Sequence, residues 1–194
     1  MPLAVRIDKR IPAQAGLGGG SSDAAAVLVA ADRLHGLGLG AERLEAVAAR
    51  VGSDVPFFVR GGCQWAEGRG ERLRPARAPS FAAVLCRPDL GLPTGRVYAA
   101  FDRLPAPPPA GDADPPDGEG LAGWVRNDLW PPALALAPAL GATARALRAA
   151  GARAALLCGS GSCMAGLFAG RAAAEAALPL VPRGTLRAVV GPRG

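Results

Sequence analysis

Asp8-Lys9-Arg10-Ile11-Pro12-Ala13-Gln14-Ala15-Gly16-Leu17-Gly18-Gly19-Gly20-Ser21-Ser22-Asp23-Ala24-Ala25 is the stretch on which the reading of this chain turns. Just before it, Leu3, Val5 and Ile7 alternate with Ala4, Arg6 and Asp8, the period of a half-buried strand that Pro12 would end. Just after it, the run from Asp23 to Leu34 is strong helix-forming material, with Ser21 or Ser22 as the natural N-cap. The predicted motif is strand, glycine loop, helix.

Glycines tolerate positive φ and let backbone approach closely, so the segment Gly16 to Ser22 can turn several N–H groups toward one anion. The helix behind it adds its own unpaired donors and the positive end of its dipole. Phosphate suits such a loop. No Gly-Lys-Ser/Thr follows the glycines, and neither the spacing nor the ribose-binding acid of a dinucleotide fingerprint is present. The plainer alternative is a flexible turn ahead of a helix.

Outward from the loop, a second helix is expected over Ala41 to Val51, with Leu44, Val47 and Ala48 on one face and Gly52 at its end. Ser53-Asp54-Val55-Pro56 then makes a tight loop. Phe57-Phe58-Val59, Cys63 to Ala66 and Glu71 to Leu73 are expected as short strands of a meander, separated by Gly61-Gly62 and Gly68-Arg69-Gly70. Pro75 to Pro79 marks a boundary, and Phe81 to Cys86 opens a second unit as a buried strand. Pro105 to Gly120 is rich in Pro, Gly and Asp and predicts a flexible loop. Helices near Asn127 to Leu136 and Pro138 to Ala150 precede a strand Ala154 to Cys158, the turn Gly159 to Ser162 and a strand Cys163 to Phe168. A helix Arg171 to Leu178 and a strand Thr185 to Val190 end the chain, an order that suits a split β-α-β sandwich.

The 194 residues are half apolar and carry a net charge of +6. The arginines are scattered, with no basic stripe, and aromatics make up only 5% of the chain, so a nucleic-acid partner is not expected. No apolar run reaches the ~20 residues of a membrane span, and a cytoplasmic protein is expected. Lys9 is the only lysine among 22 basic residues. Cys63, Cys86, Cys158 and Cys163 show no paired spacing and His35 is the single histidine, which argues against a zinc or disulfide framework. Cys86 and Cys158 lie in apolar runs and are expected as reduced, buried core thiols. Asp54 lies in a loop shaped by Gly52 and Pro56. A carboxylate there is either an exposed turn aspartate or a base that accepts a hydroxyl proton during phosphoryl transfer.

The stretch from Asp8 to Ala25 resembles the ATP loop of the GHMP kinases, and further segments follow in that family's order. Gly52-Ser53-Asp54-Val55-Pro56-Phe57-Phe58 is similar to its catalytic-aspartate loop, Gly68 to Leu73 to the turn that follows, and Leu92-Pro93-Thr94 to a substrate-side segment. Asn127-Asp128-Leu129 matches a second-domain helix, and Gly159-Ser160-Gly161-Ser162-Cys163 the glycine turn beside the phosphate loop.

The resemblance implies an α+β, two-domain GHMP kinase-like fold. Residues 1–79 would form a ribosomal protein S5 domain 2-like ATP-binding domain, incomplete at its front, and residues 80–194 a ferredoxin-like C-terminal domain. It further implies transfer of the γ-phosphoryl group of ATP to the 2-hydroxyl of 4-diphosphocytidyl-2-C-methyl-D-erythritol, with Mg²⁺, in non-mevalonate isoprenoid biosynthesis. Homoserine or mevalonate-type alcohols, or a catalytically impaired nucleotide-binding fragment, are the alternatives. By the same resemblance Asp54 is the general base. Lys9, Pro12, Ala13, Gln14, Ala15, Gly16, Leu17, Gly18, Gly19, Gly20, Ser21 and Ser22 bind the nucleotide, with Ser21 or Ser22 reaching Mg²⁺, and Thr94, Gly159, Ser160 and Gly161 lie on the substrate side. Asp23 is expected to cap its helix electrostatically. A homodimer is left open.

Gln14 and Ala15 stand where the family often has glycine. The family pattern also opens with a strand carrying Ala-Lys-x-Asn-Leu, whose lysine assists the aspartate, and no counterpart occurs in these residues. The expectation is a piece of a longer protein or a truncated product, with an exposed apolar edge at Leu3 to Ile7.

Overall fold

Alanine-rich sequence gives the chain its first and longest helix, α1 (Gly19–Leu34). The computed structural model describes residues 3–108, 111, 113–117, 119–184 and 186–191. They fall into two compact units, one of Met1–Arg10 and Gly18–Ala78, the other of Ile11–Leu17 and Pro79–Gly194.

In the first unit α1 packs with α2 (Gly40–Val51) and α3 (Val55–Arg60). Ala25, Ala48 and Val55 form the buried centre, with Leu28, Phe58 and Val59 around them. A two-stranded hairpin, β1 (Gln64–Glu67) and β2 (Arg72–Pro75), completes it. Trp65 and Arg74 are opposed in that ladder, and the Arg74 guanidinium stacks 4.9 Å from the Trp65 ring centre. Arg60 clasps Glu45 with two 2.7 Å bonds, tying α3 to α2, and this contact raises the Arg60 pKa.

Several expectations fail here for identifiable reasons. Leu3 to Ile7 forms no strand, because a ladder needs a partner and none of the described residues supplies one; Leu3, Val5 and Ile7 are exposed. Helix α1 is capped by Gly18 in the left-handed region, not by Ser21 or Ser22, so both serines lie inside the first turn. Phe57-Phe58-Val59 is helical. Pro56 pre-sets the first turn of α3, and burying Val55 against α1 and α2 outweighs the strand propensity of the aromatics. The tight loop therefore shrinks to Ser53 and Asp54, and the meander to one hairpin. Val47 is exposed, leaving Leu44 and Ala48 as the buried face of α2.

The second unit is built on a four-stranded antiparallel sheet, β3 (Ala82–Arg87), β4 (Ala154–Leu157), β5 (Met164–Phe168) and β6 (Leu186–Val190), in the order β4-β5-β3-β6. Along β3 the side chains alternate between faces. Val84 and Cys86 join Leu140, Leu147, Leu157 and Met164 in the main core, while Ala83 packs with Leu121, Ala154 and Leu167 on the other side. The main core is covered by α4 (Thr94–Phe101), α6 (Trp130–Leu136), α7 (Ala139–Ala149) and α8 (Arg171–Ala177). Helix α5 (Glu119–Trp124) supplies Leu121 to the second face, so the predicted loop Pro105 to Gly120 gives way to helix at its end. Helix α4 and helix α5 were not expected, and the helix expected from Asn127 begins at Trp130. A short 3-10 turn, Leu178–Leu180, follows α8. Thr185, the expected start of the last strand, lies outside the described residues. Cys86 is buried as expected, whereas Cys158 is half-buried and Cys163 fully buried.

Candidate active site

In the first unit, Gly18 turns the chain into α1 at φ 67°, and its Cα lies against the ring of Phe58: a Cβ there would stand 2.6 Å from Cζ. Ser22 N–H makes the first intrahelical bond, to the Gly18 carbonyl at 2.8 Å. The N–H groups of Gly19, Gly20 and Ser21 precede that bond and point out of the helix end, where an anion is favoured. The Ser22 hydroxyl donates to the Gly19 carbonyl at 2.9 Å, so its proton is used and its acceptor capacity is not. Lys9 pairs with Asp23 at 2.5 Å, so the lone lysine is anchored one turn into α1 and Asp23 is held by it. Both side chains are partly exposed, and such a pair is worth only ~0–1 kcal/mol.

Asp54 precedes α3 as its N-cap residue but makes no capping bond, and its carboxylate is exposed. The turn Gly68-Arg69-Gly70 folds over it: a Cβ on Gly70 would lie 3.5 Å from Asp54 Oδ1 and 3.3 Å from the Ser53 carbonyl. Glu71 closes that turn by accepting the Arg69 N–H at 2.8 Å. Bonds from its own N–H and that of Arg69 hold the Glu71 carboxyl below its ordinary pKa.

The first half of the glycine stretch belongs to the second unit, where it is laced onto the end of the β4–β5 hairpin. Ser162 N–H donates to the Gln14 carbonyl at 3.2 Å and Cys163 N–H to that of Ala15 at 3.1 Å. The Arg87 guanidinium reaches the Ala13 carbonyl at 3.4 Å. Ala15 is buried, and Gly16, at φ 72°, lies so close to the Cys158 carbonyl that any Cβ would collide with it. Gln14 takes up φ 56° without glycine's freedom. The carbonyls of Gln14 and Ala15 are thereby both paired within the second unit.

The hairpin end is braced from behind. Asn127 donates both to the Leu157 carbonyl at 2.8 Å and to the Gly159 carbonyl at 2.7 Å, while its own oxygen accepts the Leu129 N–H. Thr94, at the start of α4, meets the buried Ser160 hydroxyl at 2.9 Å, and Ser162 donates to the Leu90 carbonyl. Thr94 and Ser160, two of the residues expected on the substrate side, are thus in direct contact, with Gly159 and Gly161 flanking Ser160. Asn127 and Arg87 were not among the predicted site residues. The Asn127-Asp128-Leu129 match signalled the first, but nothing marked Arg87 among the 22 basic residues. Among the described residues no cluster of His, Cys, Asp and Glu could hold a metal ion, and no helix is long and apolar enough to cross a membrane.

Comparison with known proteins supplies the family. The family model for the GHMP kinases N terminal domain matches residues 1–62, and that for the GHMP kinases C terminal matches residues 117–179. The chain is 45% identical to 4-diphosphocytidyl-2-C-methyl-D-erythritol kinase of Salinispora tropica over 88% of its own length and 58% of that protein's. It is equally identical to the protein of that name from Xanthomonas axonopodis pv. citri, covering 96% of this chain and 61% of that one. A crystal structure of 4-(cytidine 5'-diphospho)-2C-methyl-D-erythritol kinase superposes with a TM-score of 0.72 at 40% identity, over 89% of this chain and 64% of that one. Homoserine kinase from Cytophaga hutchinsonii shares the fold at 16% identity, with a TM-score of 0.61. The chain therefore spans about three fifths of the length of the curated relatives it matches. With both family models matched in order, and with the glycine loop, the aspartate turn and the braced hairpin end in place, the chain belongs to the GHMP kinase family.

Proposed function

We propose that this chain phosphorylates the 2-hydroxyl of 4-diphosphocytidyl-2-C-methyl-D-erythritol at the expense of ATP, in non-mevalonate isoprenoid precursor biosynthesis. The observation that carries the reading is the glycine loop, whose Gln14 and Ala15 carbonyls are tied to the Ser162 and Cys163 N–H groups while α1 begins on unpaired N–H donors. The acceptor alcohol is the one for which the relatives are named.

In this reading residues 1–79 are the ATP-binding domain and residues 80–194 the C-terminal domain. Pro12 to Ser22 hold the ATP phosphates, and Lys9, released from Asp23, reaches the nucleotide. Asp54, exposed and without a capping bond, takes the proton from the acceptor hydroxyl as that oxygen attacks the γ-phosphorus. The attacked hydroxyl sits on a tertiary carbon, so orientation matters more than nucleophilicity. Thr94, Gly159, Ser160 and Gly161 lie on the substrate side.

Mg²⁺ usually keeps several waters and takes only one or two protein oxygens beside the phosphates, so a single hydroxyl, that of Ser22 at the start of α1, would suffice as the protein's contribution. Bound there, it would neutralise charge on the phosphate oxygens. The reaction is placed in the cytoplasm, with no nucleic-acid or membrane partner, and a homodimer is the assembly to test by sedimentation.

Calorimetric titration with 4-diphosphocytidyl-2-C-methyl-D-erythritol, homoserine and mevalonate, each with a non-hydrolysable ATP analogue, tests the substrate. Binding of the first alone, competed by cytidine diphosphate, is expected. Preference for homoserine or mevalonate would move the chain to another branch of the family.

A further inference from the structure

Cys158 and Cys163 face each other across the rung that follows the last pair of the β4–β5 ladder. That ladder pairs Leu157 with Met164, which makes Cys158 and Cys163 the next opposed positions, and the Cys158 N–H donates to the Cys163 carbonyl at 2.9 Å. Residues opposed in an antiparallel pair have Cα atoms about 4.5–5.5 Å apart. A disulfide spans Cα separations of roughly 4.4–6.8 Å, so the backbone already stands at bridging distance. The two thiols differ in access, Cys163 being 0% exposed and Cys158 half-buried.

We propose that Cys158 and Cys163 form a reversible oxidation site, with Cys158 the attacking thiol and Cys163 the resolving one, closing a disulfide across the turn Gly159 to Ser162. Electrostatics points the same way. Interaction between the thiols lowers the Cys158 pKa, while it and burial push Cys163 up, so Cys158 is the thiol that ionises first; the Cys163 thiol also donates to the Met164 carbonyl at 3.6 Å. An accessible thiolate is the reactive form. The third thiol nearby, Cys86, is opposed to Met164 in the neighbouring ladder, is buried, and donates to the Pro182 carbonyl at 3.4 Å.

The oxidant is a hydroperoxide. The Cys158 thiolate attacks one peroxide oxygen of hydrogen peroxide, the O–O bond breaks, and hydroxide leaves, giving a sulfenic acid. Cys163 sulfur then attacks the Cys158 sulfur and the S–O bond breaks; the departing hydroxide takes the Cys163 proton and leaves as water. The proton lost when Cys158 ionised neutralises the first hydroxide, so two thiols give up two electrons and two protons, and the peroxide becomes two waters.

The consequence lies one hydrogen bond away. Cys163 and Ser162 are the residues whose N–H groups hold Ala15 and Gln14, so the bridge closes against the anchorage of the glycine loop.

The test uses the full chain, treated with one equivalent of hydrogen peroxide and analysed by mass. Trypsin leaves both cysteines on the peptide between Arg153 and Arg171. That peptide should be two hydrogens lighter, resist alkylation, and recover with dithiothreitol. In Cys163→Ser, dimedone should label Cys158. In the untreated protein, iodoacetamide should modify Cys158 about tenfold faster than the half-buried Cys63. Hydrogen exchange at the Ser162 and Cys163 amides should change on oxidation. A bridge mapped to Cys86 or Cys63, no bridge in the folded chain, or Cys158 alkylated no faster than Cys63 would overturn the proposal. Should Cys163→Ser fail to fold, the wild-type peptide map and the alkylation ratio still decide.

Discussion

Asp54 carries the chemical claim, and its surroundings make it a clean residue to change. It is exposed, makes no capping bond, and lies beside Gly70. Asp54→Asn should therefore leave the thermal midpoint within about 1–2 °C of wild type while lowering phosphotransfer by roughly 10²–10⁴-fold, the worth of a positioned base. A large fall in midpoint would make Asp54 structural instead. Gly16→Ala tests the part of the glycine stretch that belongs to the second unit. Its Cβ meets the Cys158 carbonyl in a backbone conformation costly for alanine, so a loss of about 1–3 kcal/mol is expected in urea unfolding, together with weakened nucleotide binding. At this scale the sequence was informative where backbone geometry demands one residue type, as at Gly16 and Gly18. It was silent on partners far apart in the chain. Nothing in the spacing joins Lys9 to Asp23 or Arg87 to the Ala13 carbonyl; both depend on folding.

Elements were legible according to how local their causes are. Helices α1 and α2 follow from helix propensity and from Gly52 as a stop, and the hairpin β1–β2 from its glycine turn. Phe57-Phe58-Val59 misled because strand propensity measures fit to a pleated surface, and here the available surface is the flank of two helices. Leu3 to Ile7 misled in the opposite way: its pattern is that of a strand, but pairing is a property of two segments. Helices α4 and α5 were missed because each is short and opens next to glycine or proline, so packing defines them more than propensity does. The hairpin end β4–β5 is the element on which the candidate site leans, and Asn127 braces it with two hydrogen bonds. Asn127→Ala should cost about 1–3 kcal/mol in urea unfolding and speed amide exchange at Ser162 and Cys163. Unchanged exchange there would mean the turn holds itself.

For the molecule as a whole, the second unit carries the larger core, and the sheet order β4-β5-β3-β6 matches the split β-α-β arrangement expected from the succession of elements. Truncating its centre, Leu147→Ala, should cost about 2–5 kcal/mol. That core also imposes a pH dependence. Burial raises the Cys86 pKa above its ordinary value of 9.0. The unfolded chain then releases the proton first, so stability is full below that pH and declines as pH climbs above it. The urea midpoint should fall as pH climbs above about 9, and Cys86→Ala should lessen the decline, the buried Cys163 thiol carrying the rest; a midpoint independent of pH in wild type would contradict a buried, protonated Cys86.

The measurement that bears most directly on the central claim is phosphotransfer by the purified chain, supplied with ATP, Mg²⁺ and 4-diphosphocytidyl-2-C-methyl-D-erythritol and read as product mass, with Asp54→Asn beside it. Wild type should form a product one phosphoryl group heavier, and Asp54→Asn should form none. No product from a chain that still binds ATP, or equal product from both proteins, would contradict the claim.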